Sequence, residues 1–514
     1  MPPSIARATK EAAHSLPARP ALALWTPVSI ATLTLLGGAA AVLRFSLLTR
    51  KPLWFDECFS VEVARLGWAD FCRLMWRREA NMSLYYLLLR GWLHFGSSPF
   101  FIRSLSVIIS LVTLPAIFWL ASRLFDRRVG VLTVALMSFN AFHIRYAQEA
   151  RSYSLFVLLA ILSSGFFVAA LQEPSRRNRF GYLLASILAV YAHLYALLLL
   201  AAQWLSVRGE KERARPLRRT WIWIGVASLP LIVFAAKTGA GPIRWIQRPG
   251  FHDLLHFMEQ MAGNDGLPLL VLYAAACLLA ILPTEGKTRM FYADVQSNRW
   301  SVRFLLIWLF FPVVLILLLS LARPLFLGRY FIFCLPALVI LASAGLAKLR
   351  PTWLLGFGLG AILVLSLQGA FSYYDHDFDL ERDGFEAAAN YILDHYQPGD
   401  VILFHIAEAR VPYEFFKTLR AEGSPSGAPA GPEIIYPQHG GRLDYLDFSG
   451  KPTSVFVHSV PDHYSRVWLV LMSNRTNGRP DPTTLMLNRI LGESFPIAAE
   501  TQFPQVEVRL YSKP

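Results

Sequence analysis

Long runs of apolar residues alternate with short polar segments from the N-terminal region to about residue 371. Each run covers roughly 17–25 residues, and a helix of that length crosses the ~30 Å hydrocarbon core of a bilayer. The runs are continuously apolar, which favours membrane-spanning helices over the alternating strands of a membrane barrel. The pattern therefore predicts a polytopic α-helical membrane domain over residues 1–371.

From about residue 372 the pattern becomes that of a soluble α/β domain. Asp383–Tyr396 has the periodicity of an amphipathic helix, and the Gln-Pro-Gly-Asp sequence that ends at Asp400 predicts a turn. Three short apolar runs predict buried strands at Val401–Phe404, Val467–Met472 and Val506–Tyr511. We therefore expect a small C-terminal α/β domain over residues 372–514.

The composition is that of a membrane protein. Of the 514 residues, 54% are hydrophobic and only 16% are charged, whereas about 25% are charged in soluble proteins. The net charge of +14 would suggest a nucleic-acid partner in a soluble protein. Here the basic residues fall in loops between apolar runs, where they hold the cytoplasmic face. We expect a multi-pass protein of the inner (plasma) membrane with no nucleic-acid partner.

The basic residues also predict the orientation. Arg7, Lys10 and Arg19 precede the first apolar run, which favours a cytoplasmic N-terminus. The first span, about Ala23–Leu48, then leads to an external loop over residues 49–98.

The side of the membrane on which each later loop lies depends on whether one stretch crosses the membrane once or twice. Phe180–Val207 is long enough for one tilted helix or for two short ones, and strongly basic loops flank both its ends. If both loops are cytoplasmic, the stretch is a hairpin with His193 near its outer tip. This count gives about eleven spans and an extracytoplasmic C-terminal domain.

Four groups of polar residues are predicted to share the outer face. They are Asp56 with Glu57, Glu149 with Arg151, His193, and Arg329 with Tyr330. Each group also has a structural interpretation, as solvated loop carboxylates, a helix anchor, a hydrogen-bonded core histidine or a snorkelling arginine. Because charged groups at a bilayer boundary are costly unless they bind or react, their common placement favours a functional site.

These side chains suffice to transfer a sugar from a polyprenyl phosphate. The leaving phosphate has a second pKa of about 6 and needs cations rather than a general acid. Arginine suits it through its planar, permanently charged fork. The acceptor hydroxyl needs a base, so one carboxylate must lie within hydrogen-bond reach of it. A single displacement with inversion follows, and neither a P-loop nor a Gly-rich dinucleotide turn is apparent in the sequence.

Five short motifs follow one another along the chain: Trp54–Glu57, Asn81–Leu89, Tyr146–Tyr153, Tyr191–Tyr195 and Arg329–Tyr330. In this order they resemble the motifs of the C-type membrane glycosyltransferases (GT-C), specifically bacterial protein O-mannosyltransferases and aminoarabinose transferases. The chain departs from many relatives at Asn81, Met82 and Ser83, where they have His-Pro-Pro.

The resemblance implies an inverting glycosyltransferase that uses a polyprenyl-phosphate-linked sugar and an extracytoplasmic glycan, lipid or protein hydroxyl. Asp56 and Glu57 would form the catalytic pair, with Asp56 as the base and Glu57 orienting the loop. The substrate-binding residues would be Glu149, Arg151, His193, Arg329, Tyr330, Asn81 and Tyr85. No cofactor is required and no metal ligand is assigned, although Asp56, Glu57 and Glu149 could hold a divalent cation if they lie close together.

A transporter or flippase of a lipid-linked saccharide is the main alternative, and an assembly subunit is a third. A flippase should carry charged residues near the bilayer midplane. The apolar runs of this chain are nearly free of charge, so we favour the enzyme.

Overall fold

A computed structural model of the chain describes residues 27–239, 246–263, 266–282, 295–375, 384–422, 431–437, 450–472, 475–476 and 479–513. Helices make up the described part up to Asp375, with short π and 3₁₀ turns between them. They are α1 (Pro27–Phe45), α2 (Phe55–Arg65), α3 (Trp68–Leu74), α4 (Ser83–Trp92), α5 (Pro99–Leu124), α6 (Arg127–Phe139), α7 (Ala141–Ala147), α8 (Tyr153–Gln172), α9 (Arg176–Ala192), α10 (Ala196–Val207), α11 (Lys211–Ala214), α12 (Arg218–Thr238), α13 (Phe251–Ala262), α14 (Gly266–Ile281), α15 (Val295–Ser320), α16 (Leu335–Leu346) and α17 (Thr352–Asp375).

The predicted apolar runs form helices, and the chain is a multi-pass helical membrane protein. Within the described ranges, seven helices are long and apolar enough to cross a membrane, or eight if α13 and α14, bent by 70°, form one span. Several other runs form shorter helices. The run after α5, for example, divides at Asn140, whose side chain accepts a hydrogen bond from His143 N (3.0 Å) and so caps α7. The total of about eleven spans stays a prediction.

The stretch from residue 180 to residue 207 forms two helices rather than one tilted helix. Helix α9 ends at Ala192, the next residue, His193, has an extended backbone (φ −164°, ψ 130°), and α10 begins at Ala196. Asn81 Oδ1 accepts a hydrogen bond from Leu194 N at 2.8 Å. The break therefore places His193 at the tip of a hairpin that is tied to the first loop.

A buried arginine joins α1 to three other helices. Arg44 donates hydrogen bonds to Ser110 Oγ (2.8 Å), Ser138 O (2.9 Å) and Met137 O (3.1 Å), and its Nη2 lies 2.8 Å from His143 Nδ1. Arg44 has no exposed surface. Because a buried charge is costly unless it is well hydrogen-bonded, this network fixes the relative positions of α1, α5, α6 and α7.

Hydrogen bonds to the backbone at the end of α1, next to this network, position the segment that follows α7. Gln148 Nε2 donates to Arg44 O (3.0 Å) and to Ser46 O (2.8 Å). These bonds hold the short turn that carries Glu149 and Arg151 against the end of α1.

The C-terminal domain is the expected α/β unit, with a five-stranded sheet in the order β2-β1-β3-β7-β6. Strand β1 is parallel to both β2 and β3, while β3, β7 and β6 are antiparallel neighbours. The elements are α18 (Gly384–His395), β1 (Val401–Phe404), α19 (Arg410–Glu422), β2 (Glu433–Tyr436), α20 (Ser454–His463), β3 (Arg466–Met472), β4 (Arg475–Thr476), β5 (Arg479–Pro480), α21 (Pro482–Ser494), β6 (Ile497–Phe503) and β7 (Val506–Ser512).

The sheet confirms the predicted strands at β1, β3 and β7, each within a residue of its expected bounds. Strands β2 and β6 were not predicted. Strand β6 is a partly exposed edge strand whose sequence, Ile-Ala-Ala-Glu-Thr-Gln-Phe, lacks a regular apolar alternation. Strand β2 has only four residues.

The domain packs on the first loop of the helical part through α19 and α2. Arg65 Nη2 lies 3.5 Å from Glu422 Oε1, and Ser97 Oγ donates to Glu422 Oε2 at 2.8 Å. At the start of α2 the Phe55 ring lies 6.2 Å from the Phe385 ring. One apolar core runs through both parts of the protein.

Replacing Arg44 with methionine should destabilise the protein by about 3 kcal/mol or more, because several buried acceptors lose a charged donor. Chemical unfolding of the purified protein in detergent micelles measures the change. Arg50→Met is the matched control, since Arg50 is half exposed and pairs with the exposed Asp375; its effect should stay below about 1 kcal/mol. Equal losses in the two variants would contradict the role assigned to Arg44.

Candidate active site

Asp56 lies between two arginines that are distant in the sequence. It belongs to the first turn of α2, where the helix dipole favours a negative charge. Asp56 Oδ2 lies 3.6 Å from Arg151 Nη2 and 3.6 Å from Arg329 Nη2. All three side chains are largely buried. The first loop, the turn before α8 and the turn before α16 thus meet as the loop charges predicted.

Glu57 points away from this group into a fully buried ion pair. Its Oε1 accepts from Arg103 Nε (2.8 Å) and from Ala150 N (2.8 Å), and its Oε2 accepts from Arg103 Nη2 (2.6 Å). Glu57 has no exposed surface, so in this structure it cannot contact a ligand. This geometry fits the orienting role that the sequence analysis expected for Glu57.

Arg103 is a residue of this site that the sequence analysis missed. Besides Glu57 it donates to Leu48 O (2.8 Å), Lys51 O (2.6 Å) and Pro52 O (2.9 Å). It therefore holds the chain between α1 and α2 against α5. A lone arginine inside the apolar run of α5 was the available signal, since such a charge must find buried partners.

Arg151 is clamped along α2, and Glu149 is buried behind it. Arg151 Nη1 lies 3.3 Å from Asp56 O and 3.3 Å from Ser60 Oγ, to both of which it donates hydrogen bonds. Glu149 Oε1 lies 3.7 Å from Arg145 Nε, and Glu149 has no exposed surface. Arg151 thus pairs with Asp56, whereas Glu149 pairs with Arg145.

His193 and Tyr330 form an aromatic wall beside the arginines. The His193 ring stacks on Phe156 with 5.0 Å between centroids, and it lies 4.9 Å from the Tyr330 ring. Its Nδ1 accepts a hydrogen bond from Tyr195 N (3.2 Å), which places the ring proton on Nε2. The Arg329 guanidinium lies 5.4 Å from the Trp54 ring and 5.9 Å from the Tyr330 ring, within cation–π range.

Several polar atoms of this region are buried and lack a hydrogen-bond partner among the described residues. They are Asp56 Oδ2, Arg151 Nε, Tyr153 Oη and His193 Nε2. Buried polar atoms in proteins are almost always paired. A group of donors and acceptors left open around Asp56 and the two arginines is therefore typical of a site that binds a polar ligand.

Asn81 and Tyr85 are linked by hydrogen bonds to the segments that carry His193 and Arg151. Asn81 holds the hairpin tip through Leu194 N, as described above. The Tyr85 hydroxyl lies 2.8 Å from Ser106 Oγ, and Ser106 in turn donates to Arg151 O at 3.4 Å. Tyr85 is fully buried, so it leaves no surface for a ligand, and Ser106 links it to the backbone of Arg151.

Two further carboxyl groups, which the sequence analysis did not single out, lie near Asp56. Glu79 ends a π-helical turn and accepts a hydrogen bond from Tyr86 Oη (3.4 Å). Burial raises the pKa of Glu79 to about 7; Arg151 opposes this rise and Asp56 adds to it. In the C-terminal domain, burial and then the Asp56 carboxylate raise the pKa of Glu408 to about 7.

The described residues include no group of three or more His, Cys, Asp or Glu side chains placed to hold a metal ion. Two carboxylates that could have joined Asp56 are paired elsewhere, Glu57 with Arg103 and Glu149 with Arg145. A divalent cation therefore stays a hypothesis without a set of ligands.

No family model and no curated protein sequence matches this chain. Solved structures do match it. ArnT from Cupriavidus metallidurans in the apo state is 13% identical with a TM-score of 0.62, over 94% of this chain and 98% of that one. ArnT bound to undecaprenyl phosphate has a TM-score of 0.58 at 13% identity over the same shares, 94% and 98%.

A second solved protein has a similar fold. The archaeal oligosaccharyltransferase AglB from Archaeoglobus fulgidus, in complex with an inhibitory peptide and a dolichol-phosphate, is 9% identical with a TM-score of 0.52. The match covers 86% of this chain and 69% of AglB. Together these likenesses show that the chain has the GT-C glycosyltransferase fold.

Glu57→Gln and Arg103→Met should each destabilise the protein by about 3–5 kcal/mol, because each leaves a buried charge without its partner. The double variant should cost clearly less than the sum of the two. Unfolding in detergent micelles measures all three. Glu493→Gln removes an exposed ion pair and should change stability by less than about 1 kcal/mol. Strict additivity of the Glu57 and Arg103 losses would contradict the buried pair.

The raised pKa of Glu79 should make folding stability depend on pH. Its usual value is 4.5 and its folded value is about 7, so ionisation is less favourable in the folded protein. The resulting destabilisation is absent below about pH 4.5, grows up to about pH 7 and is complete above it. Between pH 4.5 and 8, Glu79→Gln should lose less stability than the wild type. The exposed Glu212→Gln should follow the wild type, and an unchanged slope in Glu79→Gln would refute the assignment.

Proposed function

We propose that the protein is an inverting glycosyltransferase that moves a sugar from a polyprenyl-phosphate donor to a hydroxyl of a glycan, lipid or protein acceptor. The observation that supports this most directly is the Asp56 carboxylate, held 3.6 Å from both Arg151 and Arg329. One base and two permanent cations are the groups that this reaction needs.

The acceptor hydroxyl attacks the anomeric carbon of the donor sugar while Asp56 takes the hydroxyl proton. A new C–O bond forms as the bond from the anomeric carbon to the phosphate oxygen breaks. The electron pair leaves with the polyprenyl phosphate. Attack opposite the leaving group inverts the configuration, and no covalent sugar–enzyme intermediate forms.

Arg151 and Arg329 bind the departing phosphate and stabilise the charge that it gains in the transition state. The His193 Nε2 proton and the Tyr330 hydroxyl lie beside Arg329 and are further donors for the phosphate or the sugar. The undecaprenyl phosphate bound to ArnT and the dolichol-phosphate bound to AglB support a polyprenyl carrier for this chain also.

Other residues act by positioning these groups. Glu57 and Arg103 fix the start of α2, Asn81 holds the hairpin that carries His193, and Tyr85 supports Arg151. Glu149, paired with Arg145, holds the turn that precedes Arg151.

The enzyme would lie in the plasma (inner) membrane with a cytoplasmic N-terminus. In this arrangement the helical domain, residues 1–371, carries the reaction at its outer end. The C-terminal domain, residues 372–514, covers that end from outside the cytoplasm.

Asp56→Asn should lower transfer by about 10²–10⁴-fold, because the amide keeps the size of the side chain but cannot take the proton. The assay combines purified full-length protein in detergent with the lipid and glycan extract of a deletion strain. Mass spectrometry follows addition of the sugar. In detergent no membrane separates the substrates, so product that depends on the added protein identifies an enzyme rather than a flippase.

Asp70→Asn is the matched control for this assay, since Asp70 lies in the same loop with its side chain half exposed. It should transfer at the wild-type rate. Full activity of Asp56→Asn would exclude Asp56 as the base, and the absence of protein-dependent transfer by the wild type would exclude the enzyme.

A further inference from the structure

The turn that follows β1 lies at the edge of the sheet where ligands bind in related architectures. The chain passes from β1 through α19 to β2 on one side, and then through α20 to β3 on the other side of β1. Since β1 is parallel to both neighbours, this arrangement makes a topological switch point at the carboxyl ends of β1 and β3. Open α/β sheets bind ligands at such points. Glu408 belongs to the 3₁₀ turn Ala407–Ala409 that begins at this edge.

The packing of α19 on α2 directs this edge toward Asp56. Arg65, in the last turn of α2, pairs with Glu422 at the end of α19 (3.5 Å) and lies 5.9 Å from the Phe415 ring. With the carboxyl ends of the two helices joined, the turn that precedes α19 lies toward the start of α2. Asp56 lies in the first turn of α2, and its carboxylate is close enough to Glu408 to raise the pKa of the Glu408 carboxyl group.

The Glu408 carboxyl is half-buried, between the buried Ala407 and Ala409. Among the described residues, no side chain or backbone group forms a hydrogen bond or ion pair with it. Removing a carboxyl group from water without a partner is unfavourable. Such a group beside an unsatisfied catalytic carboxylate is therefore placed to bind a ligand.

The negative charges of Glu408 and Asp56 favour a neutral ligand with hydroxyl groups over a phosphate. A carboxylate repels phosphate. The two arginines that suit the donor phosphate, Arg151 and Arg329, pair instead with Asp56, each at 3.6 Å from its Oδ2. Carboxylates accept hydrogen bonds from neutral hydroxyl groups without such repulsion. Glu408 thus fits the hydroxyl-rich substrate, which must also place one hydroxyl on Asp56.

We propose that Glu408 and the turn Ala407–Ala409 form an acceptor subsite, which binds hydroxyl groups of a saccharide acceptor against Asp56. The subsite rests on the proposed function, because Asp56 is the base of that reaction. The C-terminal domain would then complete the active site with a side chain of its own. An ionised carboxyl group accepts stronger hydrogen bonds than a protonated one, so acceptor binding should strengthen as the pH rises through about 7.

The test uses purified full-length protein in detergent, with donor lipid and unmodified glycan acceptor extracted separately from a deletion strain. Each substrate is titrated while the other is held saturating. Glu408→Gln should raise the acceptor concentration for half-maximal rate about tenfold, as expected for one charged hydrogen bond. The corresponding donor concentration should change less than twofold. Glu433→Gln, an exposed glutamate on β2 of the same domain, should leave both unchanged.

Two further readouts separate binding from a structural effect. The acceptor affinity of the wild type should depend on pH between 6 and 8 more steeply than that of Glu408→Gln. Glu408→Asp, which keeps the carboxyl group, should recover part of the acceptor affinity. A Glu408→Gln variant with wild-type values in both titrations would overturn the subsite, as would one that loses only maximal rate.

Asp56→Asn in the same assay keeps the two proposals distinct. If it is inactive at every acceptor concentration while Glu408→Gln behaves as wild type, the subsite fails and the proposed function stands. If it transfers at the wild-type rate, the proposed function itself fails.

Discussion

The buried contact between Glu57 and Arg103 sets the geometry on which the rest of the site depends. Successive residues of an α-helix point about 100° apart, so fixing Glu57 against α5 directs Asp56 to a different side of α2. The Glu57 carboxylate also accepts a hydrogen bond from Ala150 N, next to Arg151. One carboxylate therefore positions both Asp56 and the arginine that faces it. Adjacent acidic residues in a first loop need not have the same surroundings: Glu57 is buried in an ion pair, whereas Asp56 Oδ2 has no hydrogen-bond partner among the described residues.

Much of the fold could be predicted because it follows from local patterns. Apolar runs of sufficient length form helices, the period of the apolar residues marks β1, β3 and β7, and the basic loops predicted a topology in which Asp56, Arg151 and Arg329 share one face. The burial of single charges could not be predicted in this way. Glu57 finds its partner 46 positions away, and Arg44 finds His143 99 positions away. Such pairs depend on how helices pack, which no local period encodes. The span count was uncertain for a related reason, since single caps such as Asn140 divide an apolar run.

The two parts of the protein are joined at the place where the candidate chemistry lies. Helix α2 carries Asp56 on one side and receives α19 of the C-terminal domain through Arg65 and Glu422. A rotation of the domain on α2 would move Glu408 relative to Asp56 while leaving the arginines in place. Under the two proposals, the helical part would thus bind the donor phosphate, and the C-terminal domain would contact the acceptor. Variation in the domain could change the second substrate without altering the first.

The break at His193 has a consequence for the depth of the site. Helix α10 has 12 residues and so rises only about 18 Å, against a hydrocarbon core of ~30 Å. The other arm, α9, has 17 residues and rises about 25 Å, which is also less than that thickness. If both arms start at one surface of the membrane, His193 at their tip lies within the hydrocarbon layer rather than at the opposite surface. Under the proposed function, the phosphate of the donor lipid would then reach Arg329 and His193 from between the acyl chains rather than from bulk water.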